Sequence, residues 1–258
     1  RYPIWKGNFQ LHSLQEEIEL IQGLNKSTHK NIGIYPEIKN PAFHQKEGKQ
    51  ISEIILKILA DYGYKTQKDN CILQCFDAKE LERIRTTLKS DLFLVQLMEY
   101  PEETNQLTYF ATYANGIGPW YKQILDKKSG GKFTFTSLVN DAHKLGLVVH
   151  PYTFRADALD EFSSFDEMLQ TILIDAKADG GFTDLPKYVA ISRGSPLASF
   201  ALNVSKAFFE AGCIVLGSAI APARRTSAVL GTSPYRRHPK PNKSRSTAVC
   251  ASLSTRLE

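Results

Sequence analysis

Long apolar runs are missing from this chain. No stretch approaches the ~18–20 residues a membrane-spanning helix needs, and residues 1–25 hold no apolar core of the kind a secretory leader carries. No G-x-G-x-x-G opens a helix after a first strand, and no G-x-x-x-x-G-K-S/T occurs, so a dinucleotide or Walker-type phosphate loop is unsupported. Cysteine is scarce: the four are Cys71, Cys75, Cys213 and Cys250, and none has zinc-ligand spacing with a second Cys or a His. Cys71 and Cys75 fall on one predicted strand, on one face, ~13 Å apart, too far for a disulfide. Free thiols are expected, two of them in the core. Acid is scarce near the C-terminus, where residues 191–258 hold ten Lys/Arg against only Glu210 and Glu258, a net of +8. Residues 1–190 hold 22 basic and 25 acidic residues, a net of −3, so the whole-chain charge of +5 describes neither part.

What is present reads as a folded α/β protein. An apolar content of 42% with 23% charged residues excludes global disorder, collagen and coiled coil. From residue 31 the chain alternates short apolar runs with amphipathic segments. Strands are predicted at 31–39, 71–76, 92–97 and 147–150, with short strand ends at 115–119 and 180–184. Helices are predicted at 48–61, 78–88, 135–145 and 165–176. Ile51, Ile54, Ile55, Ile58 and Leu59 give the first helix its face, Gly63 ends it, and Asp77 can cap the second. Repeated strand–helix units imply parallel strands joined by crossovers, either in a (β/α)8 barrel or in an open doubly wound sheet.

Polar residues gather at the C-terminal ends of the predicted strands: Glu37, Lys39, Gln74, Gln96, His150 and Asp184. That is where a barrel builds its site. Glu37 and Lys39 lie two apart, so they share a strand face. The carboxylate suits a hard divalent cation, and the ammonium suits a phosphate or an anionic transition state. A plain structural ion pair fits the same spacing. Gln74 could bond a substrate hydroxyl and Phe76 could line a pocket, or both could simply end a strand. His150 is either a site residue or a satisfied core histidine. His12, His29, His44 and His143 fall in loops or on helix faces and read as solvent residues. An Asx-type turn would explain Asp184 without function.

Six stretches in order resemble the glycerophosphodiester phosphodiesterase family, in particular its periplasmic or secreted branch: Tyr35-Pro-Glu-Ile-Lys39, Leu73-Gln-Cys-Phe-Asp77, Leu94-Val-Gln-Leu97, Asn115-Gly-Ile-Gly-Pro119, Val148-Val-His-Pro-Tyr-Thr153 and Gly181-Phe-Thr-Asp-Leu-Pro186. The resemblance covers roughly residues 8–190. It implies a TIM barrel that hydrolyses glycerophosphodiesters to glycerol 3-phosphate and an alcohol, with a divalent cation, Ca²⁺ or Mg²⁺. It implies Glu37 as a metal ligand and Lys39, Gln74, Phe76, His150 and Tyr152 as substrate-binding residues. Asp184 would be a structural residue of the closing strand end. A periplasmic or secreted location rests on the resemblance alone.

The family's His-Arg-Gly, Glu-x-Asp and His-Asp motifs, which carry its acid–base histidines and further metal ligands, do not occur in this sequence. They would precede Arg1. The expectation is an N-terminally truncated barrel of about six of eight strands over residues 1–190, without catalytic histidines and inactive alone. The alternative is a non-catalytic barrel that binds phosphate or a lipid headgroup, or a scaffold for a basic interaction tail. Residues 191–258 read as that Ser/Arg/Pro-rich tail, disordered or unrelated to the barrel. Arg224-Arg225 and Arg236-Arg237 are too sparse for a nucleic-acid site.

Overall fold

Residues 12–183 are described by a computed structural model of the chain. They open on helix α1 (Leu14–Thr28), which is not among the predicted elements. Ser13 and Glu16 close a reciprocal cap: Ser13 N–H donates to Glu16 Oε2 at 2.7 Å and Glu16 N–H donates to Ser13 Oγ at 3.3 Å. Leu14 and Ile18 bury its apolar edge.

Strand β1 (Glu37–Ile38) is shorter than predicted. Pro36 has no N–H, so the ladder is interrupted between the Ile34–Cys71 bridge and the Glu37–Gln74 pair. Helices α2 (Pro41–Lys46) and α3 (Ile51–Asp61) follow, the second burying Ile51, Ile55, Ile58 and Leu59 as its spacing requires. Gly63 then takes φ +94°, a left-handed conformation that only glycine enters cheaply. Strand β2 (Ile72–Cys75) leads to α4 (Ala78–Thr86), where Asp77 Oδ1 accepts Glu80 N–H at 3.1 Å. Strand β3 (Phe93–Met98), a 3-10 turn (Pro101–Gln106), α5 (Leu107–Phe110) and β4 (Gly116–Pro119) come next.

An antiparallel hairpin then interrupts the strand–helix rhythm, with β5 (Leu125–Ser129) paired to β6 (Lys132–Phe135). Gly130 and Gly131, both at positive φ, turn it. Helix α6 (Leu138–Lys144), strand β7 (Val148–Val149) and α7 (Phe165–Leu169) complete the series. The helix predicted to 176 widens into a π turn over Gln170–Asp175.

The main sheet runs β1-β2-β3-β4-β7, all parallel and in chain order. A doubly wound sheet reverses its strand order at a switch point. This one does not, and it has the arrangement of a TIM-barrel wall. The barrel is not closed among the described residues. The sixth predicted strand is a single bridge, Thr183 to Phe154. One face of the sheet carries Ile38, Leu73, Cys75, Leu94, Met98, Ile117 and Val149 into the core shared with the helices. The other turns Tyr35, Ile72, Val95 and Leu97 to the interior. No described helix is long and apolar enough to cross a membrane. Asp184, Cys213, Cys250 and the basic tail lie outside the described residues.

Candidate active site

Alternation along the strands decides which side chains reach the interior. Ile38 points to the helices, so Glu37 and Lys39 point inward together. Glu37 is 4% exposed and its Oε1 lies 3.2 Å from Lys39 Nζ. The ion-pair reading of the two-residue spacing is therefore realised, and the half-exposed ammonium remains open to the interior mouth. Gln74 is the register partner of Glu37 on β2 and shares its face. Phe76 extends that face beyond the strand and meets the Tyr152 ring edge-on, 5.9 Å between centroids.

Val149 belongs to the outer core, so His150 and Tyr152 also face inward. Tyr152 O–H donates to the Met98 carbonyl at 2.7 Å, reaching over β4 to β3. Burial, followed by the negative charge of Glu99, Glu103 and Glu37, holds the Tyr152 phenol protonated well above its ordinary range. His150 is fully buried, which depresses its pKa to about 4. Its Nδ1 is hydrogen-bonded to the Tyr35 hydroxyl at 3.1 Å. Tyr35 in turn packs edge-on against Phe182, centroids 4.8 Å apart. Tyr35, Leu97, Tyr152 and Phe182 thus pack together inside the strand ends.

Two positions depart from the sequence reading. Gln96, expected with the strand-end constellation, points the other way: its Oε1 accepts from Tyr113 O–H at 2.9 Å and its Nε2 donates to the Phe76 carbonyl at 3.0 Å. It ties the sheet to the chain before β4 and does not face the site. Tyr35, to which the sequence assigns no role, is a central contact of the interior. Its position two residues before Glu37 was the available signal. His12, His29 and His143 are exposed, as expected, whereas His44 is half-buried on α2.

A divalent cation fits these residues poorly. Glu37 already neutralises Lys39. Among the described residues no group of three or more His, Cys, Asp or Glu could hold a metal ion. Hard cations take six or more oxygen ligands, and this interior offers one carboxylate.

Comparison with known proteins agrees with the architecture. A glycerophosphodiester phosphodiesterase of Haemophilus influenzae is 39% identical over 215 residues, 72% of this chain and 59% of the relative. A glycerophosphodiester phosphodiesterase of Treponema pallidum is 30% identical over 225 residues, 76% of this chain and 63% of the relative. The chain therefore spans about three fifths of the length of these curated relatives. The model of the glycerophosphoryl diester phosphodiesterase family matches residues 1–188. With that match, a parallel sheet in chain order and polar side chains converging inside its strand ends, the chain belongs to the glycerophosphoryl diester phosphodiesterase family.

Proposed function

We propose that residues 12–183 carry the phosphate- and glycerol-facing part of a glycerophosphodiester phosphodiesterase site. The observation that carries this reading is the Glu37–Lys39 pair inside the strand ends, set beside Gln74 and roofed by Phe76 and Tyr152. Lys39 places a cationic charge where a phosphodiester would sit, and Gln74 offers an amide to a glycerol hydroxyl. Phe76 and Tyr152 give the carbon skeleton an apolar wall. Tyr35 and His150 act from beneath, holding the floor on which Glu37 stands. Paired with Lys39, Glu37 does not hold a cation by itself; toward the Ca²⁺ or Mg²⁺ of the family it would be one ligand among several. The remaining ligands are not among the described residues.

Cleavage needs a proton donor for the leaving alcohol. His150 cannot serve, being buried and neutral. With neither a His-Arg-Gly nor a His-Asp motif in its sequence, the 258-residue chain is expected to bind its product and not to turn over. The test is calorimetric titration with glycerol 3-phosphate, with and without Ca²⁺, beside an assay of glycerophosphocholine hydrolysis. Binding lost in Lys39→Met supports the reading. Absence of binding in the folded wild-type chain removes it. Metal-dependent turnover abolished by Glu37→Ala would restore full catalytic competence to this chain. A periplasmic or secreted location is part of the same proposal and rests on the family branch that the motifs resemble.

A further inference from the structure

Beyond β4 stands a tryptophan that the site as described does not use. Ile117 packs into the outer core, so Gly116, Gly118 and Trp120 fall on the inner face. Trp120 is the bridge partner of Tyr152, and one carbonyl binds both: Met98 O accepts Trp120 N–H at 3.2 Å and Tyr152 O–H at 2.7 Å. Tyr152 is 8% exposed and Trp120 is 41% exposed, so Trp120 is the outer of the two, nearer the mouth. Its ring already carries a cation. Lys122 Nζ lies 5.1 Å from the ring centroid and 2.9 Å from Asp160 Oδ2. The Tyr121 hydroxyl also donates to Asp160, and it and Lys122 hold the Asp160 carboxyl below the usual range. Asp160 lies between β7 and α7, so the pair ties two strand-end loops together.

On the proposed reading of the site, phosphate sits at Lys39 and glycerol against Gln74, Phe76 and Tyr152. The second ester substituent, the leaving alcohol, then points outward past Tyr152 to Trp120. Charge around the mouth has both signs, with Lys46, Lys49 and Lys79 exposed as well as Glu99 and Glu102, so the rim as a whole selects no headgroup. The selection is local. An aromatic face draws a cation, but an ammonium already covers this one. A quaternary ammonium would have to displace Lys122 or stand beside a like charge, and it has no N–H to give Asp160. A neutral polyol faces neither obstacle. Its hydroxyls can accept from Lys122 and donate to Asp160, and its carbons can pack on the exposed part of the indole. Resting on that reading of the site, we infer that Trp120, Lys122 and Asp160 form the subsite of the leaving alcohol and select a neutral hydroxylated headgroup, such as glycerol or inositol, over choline.

The test uses the full chain with Trp5→Phe, which leaves Trp120 as the sole tryptophan. Binding is read by calorimetry and by Trp120 emission. Glycerol 3-phosphate lacks the alcohol and should bind with that emission unchanged. Glycerophosphoinositol should change the emission and bind more tightly than glycerophosphocholine. Lys122→Met uncovers the ring and should lower the ratio of the two affinities about fivefold, the size of one cation–aromatic contact. Lys122→Arg keeps a cation on the ring and should preserve the ratio. Trp120→Leu should weaken the inositol diester and leave glycerol 3-phosphate binding unchanged. An unchanged ratio in Lys122→Met overturns the inference, and the site reading survives it as long as glycerol 3-phosphate still binds and Lys39→Met abolishes that binding. Failure of glycerol 3-phosphate to bind the folded chain removes both. Thermal unfolding checks the fold of each variant. Should Lys122→Met unfold, Trp120 emission in the Trp5→Phe chain decides: a change with the inositol diester and none with glycerol 3-phosphate supports the subsite, and no change with either overturns it.

Discussion

The Tyr35 hydroxyl and His150 Nδ1 stand 3.1 Å apart and join the first strand of the sheet to the fifth across its interior. One consequence is a pH dependence. Burial depresses the folded His150 pKa to about 4, whereas an unfolded histidine titrates near its ordinary 6.5. Between those values the unfolded chain binds a proton that the folded chain refuses. Stability is therefore fully present above pH 6.5 and is lost as pH falls toward 4, by up to about 3 kcal/mol from this residue. Urea denaturation from pH 8 to pH 4 should show that slope, and His150→Gln should flatten it. An equal slope in the variant would assign the acid sensitivity elsewhere.

Between α3 and α4, Arg83 is held by two carboxylates. Its NH1 and NH2 donate to Glu53 at 2.8 and 3.1 Å, and its Nε and NH2 donate to Glu80 at 3.0 and 2.8 Å. Glu80 is buried and also accepts from Ser52. Arg83→Met leaves that carboxylate unpaired and is expected to cost about 2–4 kcal/mol in urea denaturation. Arg83→Lys loses the two-pronged geometry and should recover only part of it.

Strand β4 has glycine at both inward positions. A Cβ on Gly116 would stand 2.8 Å from the Val148 backbone oxygen and 2.5 Å from Val148 Cγ2. On Gly118 the closest atom is the movable Leu97 Cδ2, at 2.6 Å, with the His150 carbonyl at 3.3 Å. Gly116→Ala should cost more than Gly118→Ala, about 3 kcal/mol against about 1–2, because backbone yields less readily than a leucine tip. Equal midpoints for the two variants would contradict the ranking.

Cys75 is buried, and burial pushes its thiol pKa up to about 12. It also donates to the Ile38 carbonyl at 3.2 Å. Iodoacetamide at pH 8 should leave Cys75 unmodified in the native chain and alkylate it in urea, as peptide mass spectrometry would report.

The outer core and most helices were legible because their periods are local. Ile51 to Leu59 repeat at helical spacing, and residues 71–76 are bounded by turns. Glu37, Lys39, Gln74, Phe76, His150 and Tyr152 could be placed on one face because strand alternation fixes sidedness once one residue is phased. Gln96 could not be phased, since Leu-Phe-Leu-Val-Gln-Leu is apolar on both sides and carries no alternation. Its partner Tyr113 lies beyond the strand. The Tyr35–His150 contact spans 115 residues and leaves no local trace. By contrast, the Ser13–Glu16 cap and the Gly130-Gly131 turn are local signals that the sequence itself carries.

The bare inner face of β4 also governs how wide the pocket mouth can be. With no side chains at Gly116 and Gly118, the walls on either side lean together, so Tyr152 reaches the Met98 carbonyl and Tyr35 reaches His150. The hollow strand lets its two neighbours approach over its inner face. A methyl at Gly116 would press on the Val148 backbone, whereas one at Gly118 would displace the Leu97 tip first.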